Sequence, residues 1–538
     1  MSRTTLTAVG AALLALAAPA GASASAPRWK AFDRAPHALP APRDSARAAA
    51  GPGGASHWIV AGASDARTGA LARAHGARAL RLPGVYTLPA PRARSFAAAL
   101  SRRGLLRYSQ ADTAVVRQSA YEGDGQETGW ARGPIVAPGL VPPASPAPIA
   151  IVDDVVDTSV SDVSQAKILK RSATKQVLDS HGTEVASVAA GQLNGTGVVG
   201  ITPGAPLLSY GLKDLTCGEA VDGILSAAEA GARVLNLSFG STDDCFPLQL
   251  AVADAFASNT LVVAASGNEF GKGNPIVYPA AYPHVLSVAA VDMALEPAYF
   301  STANAAVDLA APGESVPVAL PPAFDKDGTP DGLTRADGTS FAAPIVSGVA
   351  SWLIGTRPGL EPGQYSDILR HSAKDLRAPG WDQDTGFGLV DLAAALQAPT
   401  PPVDRLEPND GITFVDGTAY SKPDKYVWTG GARRALTASV DPVEDPVDVY
   451  RIRLGARRRA AIELTPSAGN ADLAVYSGTA RGLSAKPLSK STRGSGKTDV
   501  VHVRNTGRKA ATFYVAVLAP SLKTRSFDAL YTLKLARG

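Results

Sequence analysis

The chain has 538 residues, 45% of them hydrophobic and 19% charged, with 52 basic against 48 acidic side chains for a formal net charge of +4. That length allows two to four domains, each with its own core. A charge so close to balance gives no reason to expect nucleic acid as a partner.

At the N-terminus, Arg3 precedes an apolar run, Ala8–Ala18, too short to span a bilayer. Ala20-Gly21-Ala22-Ser23-Ala24 follows with the A-x-A spacing that signal peptidase reads. Residues 1–24 are therefore expected to be a signal peptide, cut after Ala22 or Ala24. No later apolar stretch reads as a membrane helix, so a secreted, extracellular product without a membrane span is expected. Residues 27–56 are rich in Pro, Ala, Gly and Arg and form a lead-in. Over 57–110 the pattern predicts a small β-α-β-β-α-β domain: a strand at Trp58-Ile59-Val60, a helix from a Ser64 cap to His75, strands over Arg78–Leu82 and Tyr86–Leu88 around Pro83-Gly84, a helix over Arg92–Arg102 and a strand over Leu105–Tyr108. Residues 111–147 return to Gly, Pro and Ala and read as a linker.

Over 148–397 continuous apolar runs alternate with helical stretches. Ile149–Val152, Val234–Leu237, Leu261–Ala264 and Val285–Val288 read as strands buried on both faces, and Ala220–Ala230 and Leu248–Ala257 as helices. The pattern predicts an α/β fold, a parallel sheet sandwiched by helices, with ligand groups beyond the carboxyl ends of the strands. Ala398–Pro402 is a stiff linker. Residues 404–538 carry short alternating strands separated by turn residues and read as a C-terminal β-sandwich. The basic run Arg457–Arg459 reads as a solvated turn, with contact to an anionic polymer as the alternative. The two cysteines, Cys217 and Cys245, are expected to form a disulfide in an oxidising exterior, against the alternative of two buried thiols.

Four segments carry chemistry. Ile151-Val152-Asp153-Asp154 ends a buried strand on a carboxylate able to orient an imidazole. Ser180-His181-Gly182-Thr183 places a histidine just before a helix of small residues. Gly338-Thr339-Ser340-Phe341-Ala342-Ala343-Pro344 opens an apolar helix with a serine at the positive end of the helix dipole. Ala264-Ala265-Ser266-Gly267-Asn268 follows a buried strand with an amide that can donate to an oxyanion. Taken singly, each has a plain structural reading as a cap, a turn or a surface residue; His284 and His371 are left under that reading.

In the order Asp, His, Ser these segments resemble the signature motifs of the subtilisin-like serine proteases, the resemblance covering about 147–397. Val199–Ala205, Asn236-Leu237-Ser238-Phe239-Gly240, Tyr278-Pro279-Ala280 and Ala311-Pro312-Gly313 are also family-like. The chain departs from the family at Asp154-Val155, where a glycine is usual, and at Glu184 and Ser187, which are expected to face helix packing. The resemblance implies a serine endopeptidase with Asp153, His181 and Ser340 as its triad, and with Asn268 and the Ser340 N–H as its oxyanion hole. Substrate would lie along Ser238, Phe239 and Gly240, with Ala265, Ser266 and Gly267 as the other wall of the S1 pocket. Neither wall segment carries an acid, so apolar P1 residues are expected. No cofactor is required for the chemistry; the family allows a structural calcium, for which no ligand loop stands out. Residues 57–109 resemble the family's inhibitory propeptide, implying an intramolecular inhibitor and self-cleavage between about Tyr108 and Glu122. Glu407-Pro408-Asn409-Asp410 and Asp445–Tyr450 resemble the pre-peptidase C-terminal domain of secreted bacterial peptidases. An α/β-hydrolase is excluded because the serine lacks the following glycine of a nucleophile elbow. A catalytically dead binding protein, or a chain whose sandwich is the main functional part, is the remaining competitor.

Overall fold

The computed structural model describes residues 57–112, 116–117, 129–195, 197–329, 331–420, 422–519 and 529–538. The expected signal peptide and lead-in lie outside these residues, as does most of the expected self-cleavage region beyond Arg117.

The first unit comprises β1 (His57–Gly62), α1 (Ala66–Ala74), β2 (Arg78–Ala79), β3 (Val85–Pro89), α2 (Ala90–Ser101) and β4 (Leu106–Ala111). Its strands form one antiparallel sheet in the order β2-β3-β1-β4, with a core around Val60, Leu88, Phe96 and Leu100. The cap of α1 is Asp65, whose carboxylate accepts the Thr68 N–H at 2.8 Å, and not the expected Ser64. The strand expected over Arg78–Leu82 is reduced to two residues because Leu80 and Leu82 turn into the core.

Next come β5 (Val116–Arg117), β6 (Ile149–Asp153), β7 (Lys167–Ile168), α3 (His181–Ala190), β8 (Leu207–Gly211), α4 (Cys217–Glu229), β9 (Val234–Leu237), β10 (Phe239–Gly240), α5 (Phe246–Ala257), β11 (Leu261–Ala265), β12 (Val285–Val291) and β13 (Leu309–Pro312). A seven-stranded sheet runs β13-β12-β11-β9-β6-β8-β7, and every pair in it is parallel. β14 (Val316–Ala319) and β15 (Leu333–Ala336) form a hairpin ahead of α6 (Thr339–Thr356), α7 (Pro362–His371) and α8 (Leu392–Gln397). Alternate residues of a strand point to opposite faces. Ile149 and Ile151 therefore join one core, with α3, α6 and α7, while Ala150 and Val152 join the other, with α4 and α5.

One expectation changes here. Residues 129–147 are not a free linker: Ala131, Ile135 and Val136 are buried in the sheet's core, and the Trp130 indole donates to the Ser315 carbonyl at 2.8 Å. The apolar side chains in this Pro/Gly-rich stretch find partners only once the sheet has formed. As expected of an apolar helix in the core, α6 is long and apolar enough to cross a membrane but is 89% buried in the fold.

Beyond a short α9 (Ile412–Val415), two antiparallel sheets stack around Tyr450, Ile462, Leu473, Val515 and Leu533. One holds β16 (Arg434–Val440), β18 (Arg459–Pro466), β21 (Asp499–Arg504) and β23 (Ala529–Arg537), in the order β16-β23-β18-β21. The other holds β17 (Val447–Leu454), β19 (Asp472–Ser477), β20 (Ser489–Ser491) and β22 (Ala511–Leu518), in the order β17-β22-β19-β20. The first unit packs on α4 and α5: Asp112 accepts the Gly218 N–H at 2.8 Å, Arg78 pairs with Asp222 at 2.8 Å, and Tyr108 meets Phe246 edge-on.

Candidate active site

β11, β9 and β6 are neighbours in a parallel sheet, so the residues after their carboxyl ends share one edge. Asp153 closes β6, Ser238 follows β9 and Asn268 follows β11. His181 is the first residue of α3 rather than the residue before it. α3 reaches the strand end because residue 182 is glycine: a Cβ there would stand 2.1 Å from the Asp154 carbonyl oxygen. Only a bare α-carbon permits that approach.

His181 Nδ1 lies 2.8 Å from Asp153 Oδ1, an oxygen that also accepts the Asp154 N–H at 2.7 Å. Both side chains are buried, 5% and 1% exposed. A carboxylate at Nδ1 favours the tautomer protonated there and leaves Nε2 to act as a base. The imidazole packs on Phe341, ring centroids 5.8 Å apart, beside Ser340. Ser340 is the second residue of α6, fully buried, and its hydroxyl donates to the Ser238 carbonyl at 3.1 Å. Asn268 Oδ1 accepts the Thr339 N–H at 3.0 Å and its hydroxyl at 2.9 Å, which turns the amide nitrogen, the donor end, away from Thr339. All four residues singled out for chemistry are thus brought to one edge of one sheet.

The segments expected to hold substrate line the same edge. Ser238, Phe239 and Gly240 are buried, and β10 pairs antiparallel with β5, Phe239 opposite Arg117 and Gly240 opposite Val116. Ala265 and Ser266 are buried on the facing segment. Gly267 has φ +110°, and a Cβ on it would stand 2.5 Å from Glu269 Oε2 and 2.9 Å from Thr302 Oγ1. The chain therefore folds the Glu269 carboxylate back over Gly267. Glu269 was within view, one residue past Asn268, but its direction depends on Thr302, whose hydroxyl accepts the Glu269 N–H at 2.8 Å. Glu184 lies in the first turn of α3. It accepts the Ser180 hydroxyl at 2.5 Å, and burial pushes its carboxyl up while the nearby His181 acts in the opposite sense.

Cys217 and Cys245 are joined by a disulfide, Cα–Cα 6.6 Å, which ties the start of α4 to the cap of α5 beside β10. His284 is not the surface residue expected. It is 3% exposed, with Nε2 3.2 Å from Asp410 and 3.4 Å from Glu407. Burial alone would lower its pKa; Asp410, with Asp445 and Glu444 behind it, outweighs that and lifts it to about 9. Next to it, carboxylate oxygens of Asp404, Glu407, Asp445 and Asp448 lie within 4.8 Å of one another. Burial raises Asp404 to about 7, and Asp448 adds to the rise. Asp445 Oδ1 is buried with no hydrogen-bond partner among the described residues. An all-oxygen set with such an orphaned atom fits a calcium ion. It lies beside a cavity of about 940 Å³ between α7 and the C-terminal sandwich, on residues distinct from those around His181.

With this geometry in place, comparison with known proteins is specific. A profile of the subtilase family, peptidase S8, matches residues 109–388. Fervidolysin of Fervidobacterium pennivorans is 34% identical over 245 residues, 41% of this chain and 35% of that protein, so the match spans about a third of that relative. Subtilisin DY of Bacillus licheniformis is 34% identical over 260 residues, 46% of this chain and 90% of that protein. The crystal structure of fervidolysin, described as a keratinolytic enzyme related to subtilisin, superposes with a TM-score of 0.56 at 18% identity, covering 88% of this chain and 92% of that one.

Proposed function

This chain belongs to the subtilase family, and on that premise we propose that it is a secreted serine endopeptidase made as a self-processing zymogen. The observation that carries the reading is the buried Asp153–His181 hydrogen bond, with Phe341, the residue after Ser340, packed on the imidazole. His181 Nε2 takes the proton from Ser340 Oγ as that oxygen bonds to the scissile carbonyl carbon. Asp153 steadies the imidazolium. The negative charge that develops on the carbonyl oxygen is met by the Asn268 amide and the Ser340 N–H at the start of α6. The C–N bond then breaks and His181 gives its proton to the leaving amine. Water repeats the sequence on the acyl-enzyme and restores Ser340. A substrate pairs with β10 as an added strand. Glu269 over Gly267 favours a P1 side chain that can meet a carboxylate, which revises the apolar preference expected from the wall segments.

Processing is supported by β5. It follows the first unit and pairs with β10, where a substrate strand would lie. In this reading residues 57–110 are the propeptide, which inhibits its own catalytic domain until a bond beyond Arg117 is cut. The C-terminal sandwich is a pre-peptidase-type appendage. A calcium ion at Asp404, Glu407, Asp445 and Asp448 would supply structural cross-linking only; those four carboxylates would hold it.

Casein hydrolysis by the purified chain and by Ser340→Ala, with N-terminal sequencing of both, tests the reading. The wild type should hydrolyse casein, start beyond Arg117 and take up a fluorophosphonate label; the variant should remain longer and inert. Equal product lengths would assign processing to another protease, and an unlabelled, inactive wild type would leave a binding protein.

A further inference from the structure

The helix that carries Ser340 has a gap in its first turn. In an α-helix the carbonyl of residue 340 accepts from the N–H of residue 344, and here residue 344 is proline, which has none. The Ser340 carbonyl accepts instead from the Ser238 hydroxyl at 2.8 Å. Ser238 is held in turn: its oxygen accepts from the Asn236 amide at 2.9 Å, and Asn236 Oδ1 accepts from Ser347 Oγ, one helical turn past the proline, at 2.9 Å. The backbone of Ser238 closes the loop, since its carbonyl accepts from Ser340 Oγ at 3.1 Å. Ser238, Asn236, Ser340 and Ser347 are each fully buried. Water therefore offers no substitute for any bond in this circuit, and its members keep one geometry.

We propose that the Ser238 side chain is a positioning residue for the nucleophile: it supplies the donor that Pro344 cannot, and so pins the first turn of α6, and with it Ser340 Oγ, to the end of β9. The inference rests on the peptidase reading above. It assigns to the side chain a task separate from the substrate pairing assigned to the backbone of the same segment, and it extends to Ser347, which lies too far along α6 to meet a substrate. Ser238 directly follows the central strand β9, next to β6, so the pin also fixes the distance between α6 and the strand that carries Asp153.

The test is steady-state kinetics on a peptide substrate for the full chain and four variants. Ser238→Ala should lower kcat by about 10²-fold, the scale of an ångström-sized misplacement of a reacting group, with KM changed by less than about twofold. Ser238→Thr keeps the hydroxyl and should recover most of the rate. Ser347→Ala should lower kcat less than Ser238→Ala does. The control is Ser351→Ala: Ser351 is equally buried on α6, but its hydroxyl donates to the Ala147 carbonyl at 2.7 Å, away from the nucleophile. It should lower the melting temperature comparably and leave kcat intact. Loss of stability without loss of kcat in Ser238→Ala, matching Ser351→Ala, would overturn the positioning role alone. An inactive wild type would overturn this inference and the peptidase reading together.

Discussion

At the joint with the C-terminal sandwich, Arg370 stands against three carboxylates. It lies on α7, 1% exposed, and pairs with Asp367 at 2.7 Å on its own helix and with Asp441 at 3.2 Å and Glu444 at 3.0 Å in the turn between β16 and β17. Asp441 and Glu444 are themselves buried. Arg370→Leu keeps the apolar stem but removes the guanidinium that those two carboxylates pair with. Breaking a buried pair from one side costs about 3–5 kcal/mol, a third or more of the ~5–15 kcal/mol that holds a typical domain folded. The loss falls on the joint, because both orphaned groups belong to the sandwich. Calorimetry should show the sandwich unfolding at lower temperature than the catalytic unit. Added protease should cut the linker 398–402, which is otherwise strapped by Arg357 to the Ala398 carbonyl at 2.7 Å and by Gln364 to the Pro401 carbonyl at 2.6 Å. Adding Asp441→Asn and Glu444→Gln should recover most of the loss, because buried amides cost far less than buried charges. A melting profile of Arg370→Leu that superimposes on the wild type would refute the reasoning.

Three further outcomes are expected. Replacing both Cys217 and Cys245 by serine opens a 28-residue separation and should cost roughly 3–4 kcal/mol in urea unfolding by the loop-entropy relation; an unchanged midpoint would mean that the unfolded chain is not constrained by the bridge. Chelation of calcium should lower the melting temperature of the wild type but not of Asp448→Asn, and a wild type indifferent to both chelator and added calcium would leave the four-carboxylate cluster without a metal. Asp112 is raised above the ordinary carboxylate range, burial outweighing the hydrogen bond from Gly218. Its contribution to docking of residues 57–112 is therefore complete below about pH 4 and declines as pH rises through its folded value. Hydrogen exchange of that unit should show Asp112→Asn protecting it more than wild type at neutral pH and equally at pH 4; a constant difference across pH would remove Asp112 as the cause.

Much of the catalytic edge is local and therefore legible. Asp153 ends an apolar run, His181 begins a run of small residues, and Ser340 begins an apolar helix, so periodicity and the break in it mark each position. The small β-α-β-β-α-β unit is legible for the same reason, apart from its shortened second strand and its first cap: Ser64 and Asp65 are both good capping residues, and backbone geometry selects the second. The misreadings share another cause. Residues 129–147 have the composition of a linker yet bury Ile135 and Val136. His284 resembles any isolated histidine until Asp410, far along the chain, is brought against it. Glu269 stands over Gly267 with its backbone N–H held by the Thr302 hydroxyl. Each depends on a partner more than thirty residues away, which neither spacing nor composition encodes.

By itself, the sequence marked the candidate residues for chemistry and the elements that hold them, because hydrophobic period, helix-start residues and glycine at position 182 act over a few residues. Tertiary structure alone decided what surrounds them: the Ser238 hydroxyl under the proline gap, the acid over Gly267, and the charged joint around Arg370. Those are contacts between distant segments, and burial sets their strength by excluding the water that would otherwise replace either partner.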